Sequence, residues 1–442
     1  MIYLKLAEKF FITTLIFSVV ISFFCKYFID HQYLANVLVG FNIIFFLVFL
    51  VACGFKNKKV QLLIFIFFCL RVVLLYFDYY GRDIGYVLHS GNDSENFYNL
   101  ARLISEDLSK MKEISYTKYT DFLGLVYWFI GDQRLFSQFI NLILGMWSIF
   151  IFYNILDLFK LKESKKLLLL ALYGLYPHNI IFSSILLREA LIQFFFIYSL
   201  LFFTRWLRSN DKTHIITTLI FALLSAMFHP GMMLGIVFYG LMFLYFDTHT
   251  HTFNFSVKNT ILLVSLSALV FVLIINNMSL LSGKLSFIFL GENLSLAEKF
   301  NTRVVDVGGS TYLTNFKVNS AYSFIALMPL RLIYFIFSPM PYDIRGVGSL
   351  IAILFDSSFY YFLVYKLVQS RNFLREDTRR IFPKIFLFLF LTIALGFGMA
   401  TDNSGTAMRH RSKIFPALLI AVLFSQSIKQ NKLAIWNDKK IH

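Results

Sequence analysis

Cysteine is almost absent from this 442-residue chain, which has three. Cys25, Cys53 and Cys69 each lie inside an apolar run, with no CxxC spacing and no nearby histidine. They read as packing residues and imply neither a metal site nor a disulfide framework. There is no Gly-rich phosphate loop, no repeat with a period of 20–50 residues, no low-complexity linker and no soluble stretch large enough to fold alone. Charge is sparse, at 15% of residues, and one-sided, with a net of +16. A basic balance of that size suits nucleic acid, but the lysines and arginines fall mostly in short loops between apolar segments, where they set membrane topology. Nucleic acid is therefore excluded as a partner. The lysines near the N-terminus precede an apolar run with no small-residue cleavage site after it, so a retained first span is expected.

What the chain does have is apolar side chain in excess. It is 58% hydrophobic with 55 phenylalanines and a mean hydropathy of +0.68, more than a soluble core can hide. The expected fold is all-α, a polytopic transmembrane helical bundle forming one integral membrane domain over 1–442. Apolar segments near 10–29, 35–54, 60–78, 135–157, 166–182, 185–204, 214–229, 231–247, 258–278, 347–369, 382–400 and 412–428 give about twelve spans. Basic links at Lys56, Lys58 and Lys59, at 160–166 and at the C-terminal lysines put both termini in the cytoplasm.

Two polar stretches, 79–134 and 279–346, are expected as excursions on the outer face. In the first, Asn96, Leu100, Leu103 and Ile104 recur at helical spacing, as in an amphipathic helix lying on a surface. In the second, 321–338 contains Pro329 and Arg331 and ends at Pro339 and Pro341. Counting it as a span would put the basic loop at 371–384 outside, so it is expected to be re-entrant or interfacial.

This topology gathers the conspicuous polar residues on one face. The polar insert 401–413 packs Arg409, His410, Arg411 and Lys413 into five positions between two apolar helices. Guanidinium forks bind phosphate oxygens bidentately, so Arg409 and Arg411 with Arg331 and Arg345 could neutralise a pyrophosphate leaving group. Anionic lipid headgroups are the competing ligand. Asp93 and Glu95, at the mouth of the third helix, could take a proton from a sugar hydroxyl, or be ordinary solvated acids. Arg188 and Glu189 enter an apolar run where each charge costs at least ~2.5–3.5 kcal/mol, so they either pair with other helices or sit near a headgroup or substrate. His178 beside Pro177, and His229 before Pro230, are interfacial caps or functional groups. The Thr248-His249-Thr250-His251 tract has no acidic or cysteine partners and reads as a solvated loop.

The segments Y-P-H-N-I-I-F-S-S-I-L-L-R-E-A at 176–190, L-R-L-I-Y-F-I-F-S-P-M-P-Y at 330–342 and G-T-A-M-R-H-R-S-K-I-F-P at 405–416 resemble stretches of bacterial O-antigen or capsule repeat-unit polymerases of the Wzy type and of related GT-C-like glycosyltransferases. The resemblance implies transfer of an oligosaccharide from undecaprenyl pyrophosphate to a lipid-linked acceptor, on the outer face of the bacterial cytoplasmic membrane, as a step of surface-polysaccharide synthesis. It implies arginines on the pyrophosphates, which maps onto Arg409, Arg411, Arg331 and Arg345; Lys413, Arg188, Glu189 and His178 are further substrate-binding candidates on their own chemistry and position. Deprotonation of the acceptor falls to Asp93, Glu95 or His410. It further implies membrane lipid and a chain-length regulator as partners, and neither metal nor cofactor. The chain departs from the GT-C pattern in lacking an Asp-Glu or Asp-Asp pair in the first polar excursion. A lipid-linked oligosaccharide flippase is the alternative, although the two halves of the chain show no similarity to one another.

Overall fold

The computed structural model describes residues 2–159, 161–262, 264–265, 310–313, 316, 320–369 and 381–427. Nearly all of them are helical, and the described strands are a short hairpin pairing Phe246–Asp247 with Thr252–Phe253. The chain forms two compact units, Met1–Thr204 and Arg205–His442, a division marked by no linker and no shift in composition.

The first unit opens with three long apolar helices, α1 (Ile2–Cys25), α2 (His31–Ala52) and α3 (Lys58–Tyr80). Polar caps start two of them. Asp30 Oδ1 accepts from the Tyr33 amide at 2.9 Å and Asn57 Oδ1 from the Lys59 amide at 3.0 Å. These helices turn apolar side chains outward, with Ile16, Phe24, Ile44 and Val73 largely exposed. Such an outer surface suits lipid, where the helix satisfies its own backbone and the side chains need no water. Within the unit, Asn42 Nδ2 donates to Ser18 Oγ at 2.7 Å and ties α2 to α1.

The polar excursion folds into α4 (Asn92–Glu106), the short α5 (Met111–Ile114) and α6 (Lys118–Ile130). α4 is amphipathic as expected, but its buried face is Ser94, Phe97, Ala101 and Ile104, while Asn96 and Leu103 are exposed. The face is rotated because α4 packs against α6 instead of lying alone on a surface. The contact is close at Gly124, where a Cβ would come within 2.5 Å of Ile104 Cγ2.

α7 (Arg134–Leu158) is buried along almost its whole length and packs against α1, α2 and α3, so it is the centre of the unit. The expected span 166–182 is broken. α8 (Glu163–Gly174) bends by 51° into α9 (Pro177–Ser184). Pro177 supplies no amide donor and pushes Tyr176 out of the helical region, which accounts for the break. After the link at 185–188, α10 (Glu189–Ser209) begins.

The unit has two distinct ends. At one, the Lys56 amide donates to the Tyr3 hydroxyl at 3.0 Å, Asn57 Nδ2 to Glu163 Oε2 at 3.2 Å, and Lys166 Nζ to Asp157 at 2.7 Å. Lys58, Lys59, Lys162 and Lys165 belong to these same links. The opposite end gathers the α1–α2 link, the last turn of α3, the start of α4 and the α6–α7 turn.

In the second unit, α11 (Thr213–Phe228) and α12 (Met233–Tyr245) flank the turn at Pro230–Met232. They are followed by α13 (Ala321–Phe337), α14 (Val347–Gln369, with a π turn at Ile353–Ser357), α15 (Ile381–Met399) and α16 (Ser404–Ser427). α15 packs against α16, α13 and α12. Glycines allow the approach: a Cβ on Gly231 would meet Phe397 at 2.4 Å, and one on Gly396 would meet Leu234 at 2.2 Å. The segment expected to be re-entrant or interfacial is a single helix, α13, with Pro329 inside it and no internal turn.

Among the described residues seven helices are long and apolar enough to cross a membrane, or eight if the bent pair α8–α9 counts as one span. Twelve were expected. α11 and α12 are short, at 16 and 13 residues, and most of the expected span 258–278, with Arg303 and Asp306 beyond it, lies outside the described residues.

Candidate functional site

A buried arginine organises the broken helix of the first unit. Arg71, in the middle of α3 and 1% exposed, donates through Nη1 to the Gly174 carbonyl at 3.2 Å and the Phe67 carbonyl at 3.0 Å, and through Nε to Ser183 Oγ at 2.9 Å. It thus serves the open carbonyl end of α8 and fixes α9 beside it. On α7, Asn141 Nδ2 donates to the Ile185 and Leu187 carbonyls, each at 2.8 Å, and so serves the link before α10. Arg188 and Glu189 stand at that link and at the first position of α10. Glu189 thus opens a helix long and apolar enough to cross a membrane, and Arg188 immediately precedes it. The Arg188 guanidinium lies 5.9 Å over the Phe97 ring, and Glu189 is buried. His178 is buried with its ring against those of His89, Tyr176 and Phe182, a packed position away from solvent.

At the polar end of the same unit, Glu95 is gripped by two arginines. Arg134 donates through Nη1 to Oε2 at 2.9 Å and through Nη2 to Oε1 at 2.7 Å, and Arg82 adds a further contact to Oε1. Arg82 also leans on Asp78, which is 0% exposed and accepts from Gln138 Nε2. The fork from Arg134, more than any other contact, holds the Glu95 carboxyl down to about 2. A carboxylate so stabilised is a poor proton acceptor, so the expected role of Glu95 as general base gives way to that of an anchor for Arg134 and Arg82. Asp93 stands two residues earlier in the same first turn of α4, where the helix dipole favours a negative charge.

Beside this network lies an open polar crevice of about 450 Å³. Asp30 and His31 come to it from the α1–α2 link, Tyr79 from α3, Tyr98 from α4, and Asp132 and Arg134 from the α6–α7 turn. The Tyr98 hydroxyl donates to Asp132 Oδ2 at 2.9 Å. Burial first, and then this bond, push Tyr98 up to about 12, so it stays a phenol donor near neutral pH. His31 Nδ1 accepts from the Asp132 amide at 3.2 Å, and Nε2 faces the Lys26 carbonyl at 3.1 Å. Gly131, at φ +87°, turns the chain here, and a Cβ on it would strike that ring at 2.9 Å.

In the second unit the cationic cluster is not a surface loop. Asn403 Oδ1 accepts from the Gly405 and Thr406 amides at 2.8 and 3.2 Å and caps α16, so Arg409 to Lys413 lie inside the helix. Arg411 is 0% exposed. Nη1 donates to the Phe335 carbonyl at 3.0 Å and the Ile336 carbonyl at 2.9 Å, while Nη2 reaches the Ser338 carbonyl and pairs with the buried Asp356. It therefore closes the carbonyl end of α13, as Arg71 closes that of α8. Arg331, also 0% exposed, donates to Asp402 Oδ1 at 2.7 Å. Lys413 is 0% exposed and donates to His410 Nδ1 at 2.8 Å, and the His410 ring packs against His229 and Phe397 at 4.7 Å each. Of the expected phosphate ligands, Arg409 is partly exposed and Arg345 is exposed. Arg345 lines a crevice of about 240 Å³ with Tyr312, Tyr334 and Asp343. No group of three or more His, Cys, Asp or Glu suited to a metal occurs among the described residues.

The sequence reading passed over Arg71, Asp78, Asp132, Arg134, Asp356 and Asp402. No protein-family model, curated protein or solved structure matches the chain.

Arg411→Ala leaves Asp356 buried opposite nothing and strips three carbonyls of their donor, which is expected to cost about 3–5 kcal/mol. The thermal midpoint in detergent should collapse, whereas Arg409→Ala should melt close to wild type. A wild-type melt for Arg411→Ala would refute the capping role. Glu95 gives a pH signature. Its folded value of about 2 lies below the unfolded one of roughly 4.3. Its contribution is therefore complete above about pH 4.3 and lost as pH falls through about 2. Acid titration of stability should be shallower in this window for Glu95→Gln, and an unchanged slope would contradict the pairing.

Proposed function

We propose that the chain is an integral-membrane glycosyltransferase that moves oligosaccharide from a lipid-pyrophosphate carrier to a lipid-linked acceptor during surface-polysaccharide synthesis. The observation that carries this reading is the polarity of the first unit. Lysines are denser at one end, with Lys56, Lys58, Lys59, Lys162, Lys165 and Lys166, while the other holds Lys26, Lys110, Lys112 and Lys118 together with more carboxylates, tyrosines and the paired arginines. Lysine-rich links mark the cytoplasmic side, so the crevice end faces outward, where such a transfer would occur. On this reading the twelve crossings include α11, α12, α16 and the segment near 258–278, with both termini cytoplasmic in a bacterial inner membrane.

The donor pyrophosphate falls to Arg409 and Arg345, the two arginines of the expected set with exposed surface. Arg331 and Arg411 support them from below by fixing α13, α14 and α16. Asp93, in the first turn of α4, is the candidate base of the original pair, and Glu95 serves as the anchor of Arg134 and Arg82. The bent pair α8–α9 favours a second reading, transport of a lipid-linked oligosaccharide, since broken helices line the binding sites of many transporters.

The test is the length distribution of surface polysaccharide on a gel, in a strain lacking the chain and complemented with wild type, Arg345→Ala or Arg409→Ala. Each arginine is expected to supply about 1.5–3 kcal/mol through charge-assisted hydrogen bonds. Polymer should therefore fall roughly tenfold or more in each variant at equal protein level. A full ladder from both variants would overturn the phosphate assignment. Repeat units stranded on the cytoplasmic side of the deletion strain would favour transport.

A further inference from the structure

The crevice at the polar end of the first unit is not explained by the phosphate-binding arginines, which belong to the second. Its charge also disqualifies it as a phosphate site. Arg134 is committed to Glu95, and Arg82 is shared between Glu95 and Asp78. Asp30 and Asp132 are then left as additional negative groups on the lining. An anion entering there would meet carboxylates.

The remaining chemistry is that of hydroxyl recognition. Two tyrosines, Tyr79 and Tyr98, bring ring faces and hydroxyls, and Gln32 at the rim brings an amide with both donor and acceptor. Asp132 Oδ2 is satisfied by Tyr98, but Oδ1 is buried with no hydrogen-bond partner among the described residues. A buried carboxylate oxygen without a donor is costly, and a rotation of the Asp132 side chain that brings Oδ1 to the crevice would let a ligand hydroxyl relieve that cost. The volume of about 450 Å³ lies within the roughly 300–1,000 Å³ of small-molecule sites. The carboxylates number too few, with His31 turned to the backbone, to form a metal cage.

We infer that this crevice binds a neutral, hydroxyl-rich sugar ring, with Asp132 accepting a ligand hydroxyl, Tyr98 holding Asp132 in place, and the rings of Tyr79 and Tyr98 covering the apolar face of the sugar. It deepens the proposed function by giving the saccharide its own site, and it rests on that reading for the class of ligand.

The test is saturation-transfer NMR on the purified full-length protein in lipid nanodiscs, with methyl glycosides of glucose, galactose and N-acetylglucosamine as probes and choline as a competing cation. Wild type should show transfer to at least one glycoside. Asp132→Asn and Tyr98→Phe should each weaken that binding about tenfold, the scale of one hydrogen bond to a charged group. Tyr98→Phe removes only a hydroxyl, so it keeps the test decisive if Asp132→Asn fails to fold. No glycoside signal in wild type, signals unchanged in Tyr98→Phe, or saturation by choline alone would each overturn the inference. The two readings also fail separately. Glycoside binding that depends on Tyr98, in a protein whose deletion leaves polysaccharide length unchanged, would keep the crevice and remove the transferase. Full ladders from Tyr98→Phe and Asp132→Asn would do the reverse.

Discussion

Helix ends that lie in apolar surroundings leave backbone carbonyls without donors, and the fold of both units depends on how those carbonyls are served. In the first unit the side chain of Arg71 reaches the carbonyl end of α8, where the chain turns at Pro177. In the second, Arg411 reaches three carbonyls at the end of α13 and is balanced by Asp356 from α14. Water is not at hand to serve these groups inside such a bundle, and an unserved carbonyl there costs several kcal/mol. Guanidinium suits the task because its five donors fan out in one plane and it stays charged. Once these arginines are committed, α9 must lie beside α3, and α13, α14 and α16 must lock together.

That commitment decides which charges remain for chemistry. A cluster of four basic residues looks, in sequence, like a single phosphate cradle. In the fold Arg411 and Lys413 are fully buried and His410 is packed between aromatic rings, so the cluster is mostly framework. Glu95 follows the same logic at the polar end of the first unit: by binding Arg134 and Arg82 it removes two cations and itself from the pool of reactive groups. What is left open is a crevice lined by carboxylates that no arginine neutralises, by tyrosines and by an amide, a set matched to hydroxyl groups more than to anions.

Much of the helical framework was legible in the sequence. Runs of about twenty apolar residues become α1, α2, α3, α7, α10, α14 and α15, and the Asp30 and Asn57 caps sit where the runs begin. The break after Gly174 was marked by Pro177, and the start of α16 by Asn403 followed by Gly405, although the stretch reads as an insert because its polar residues continue into the helix. Arg71, Asp78 and Asp356 were missed, although each carried a usable signal as a charge inside an apolar run whose burial needs a partner. What the sequence could not supply was the partner. Pairings such as Arg71 with Gly174 or Arg411 with Asp356 join residues far apart in the chain, and no spacing rule encodes them. Asp132, in a short Gly131-Asp132 turn, looks like any solvated turn acid until His31 and Tyr98 are folded against it.

An outward-facing transferase requires the crevice to open on the outer side of the membrane. With the three native cysteines replaced by serine, single cysteines at Gln32, exposed at the crevice end, and at Lys58, exposed at the lysine-rich end, can be probed on intact cells with a membrane-impermeant maleimide. Gln32→Cys is expected to label from outside, and Lys58→Cys only after the membrane is opened. Labelling of Lys58→Cys on intact cells, with Gln32→Cys protected, would place the crevice in the cytoplasm and contradict an outward-facing transferase.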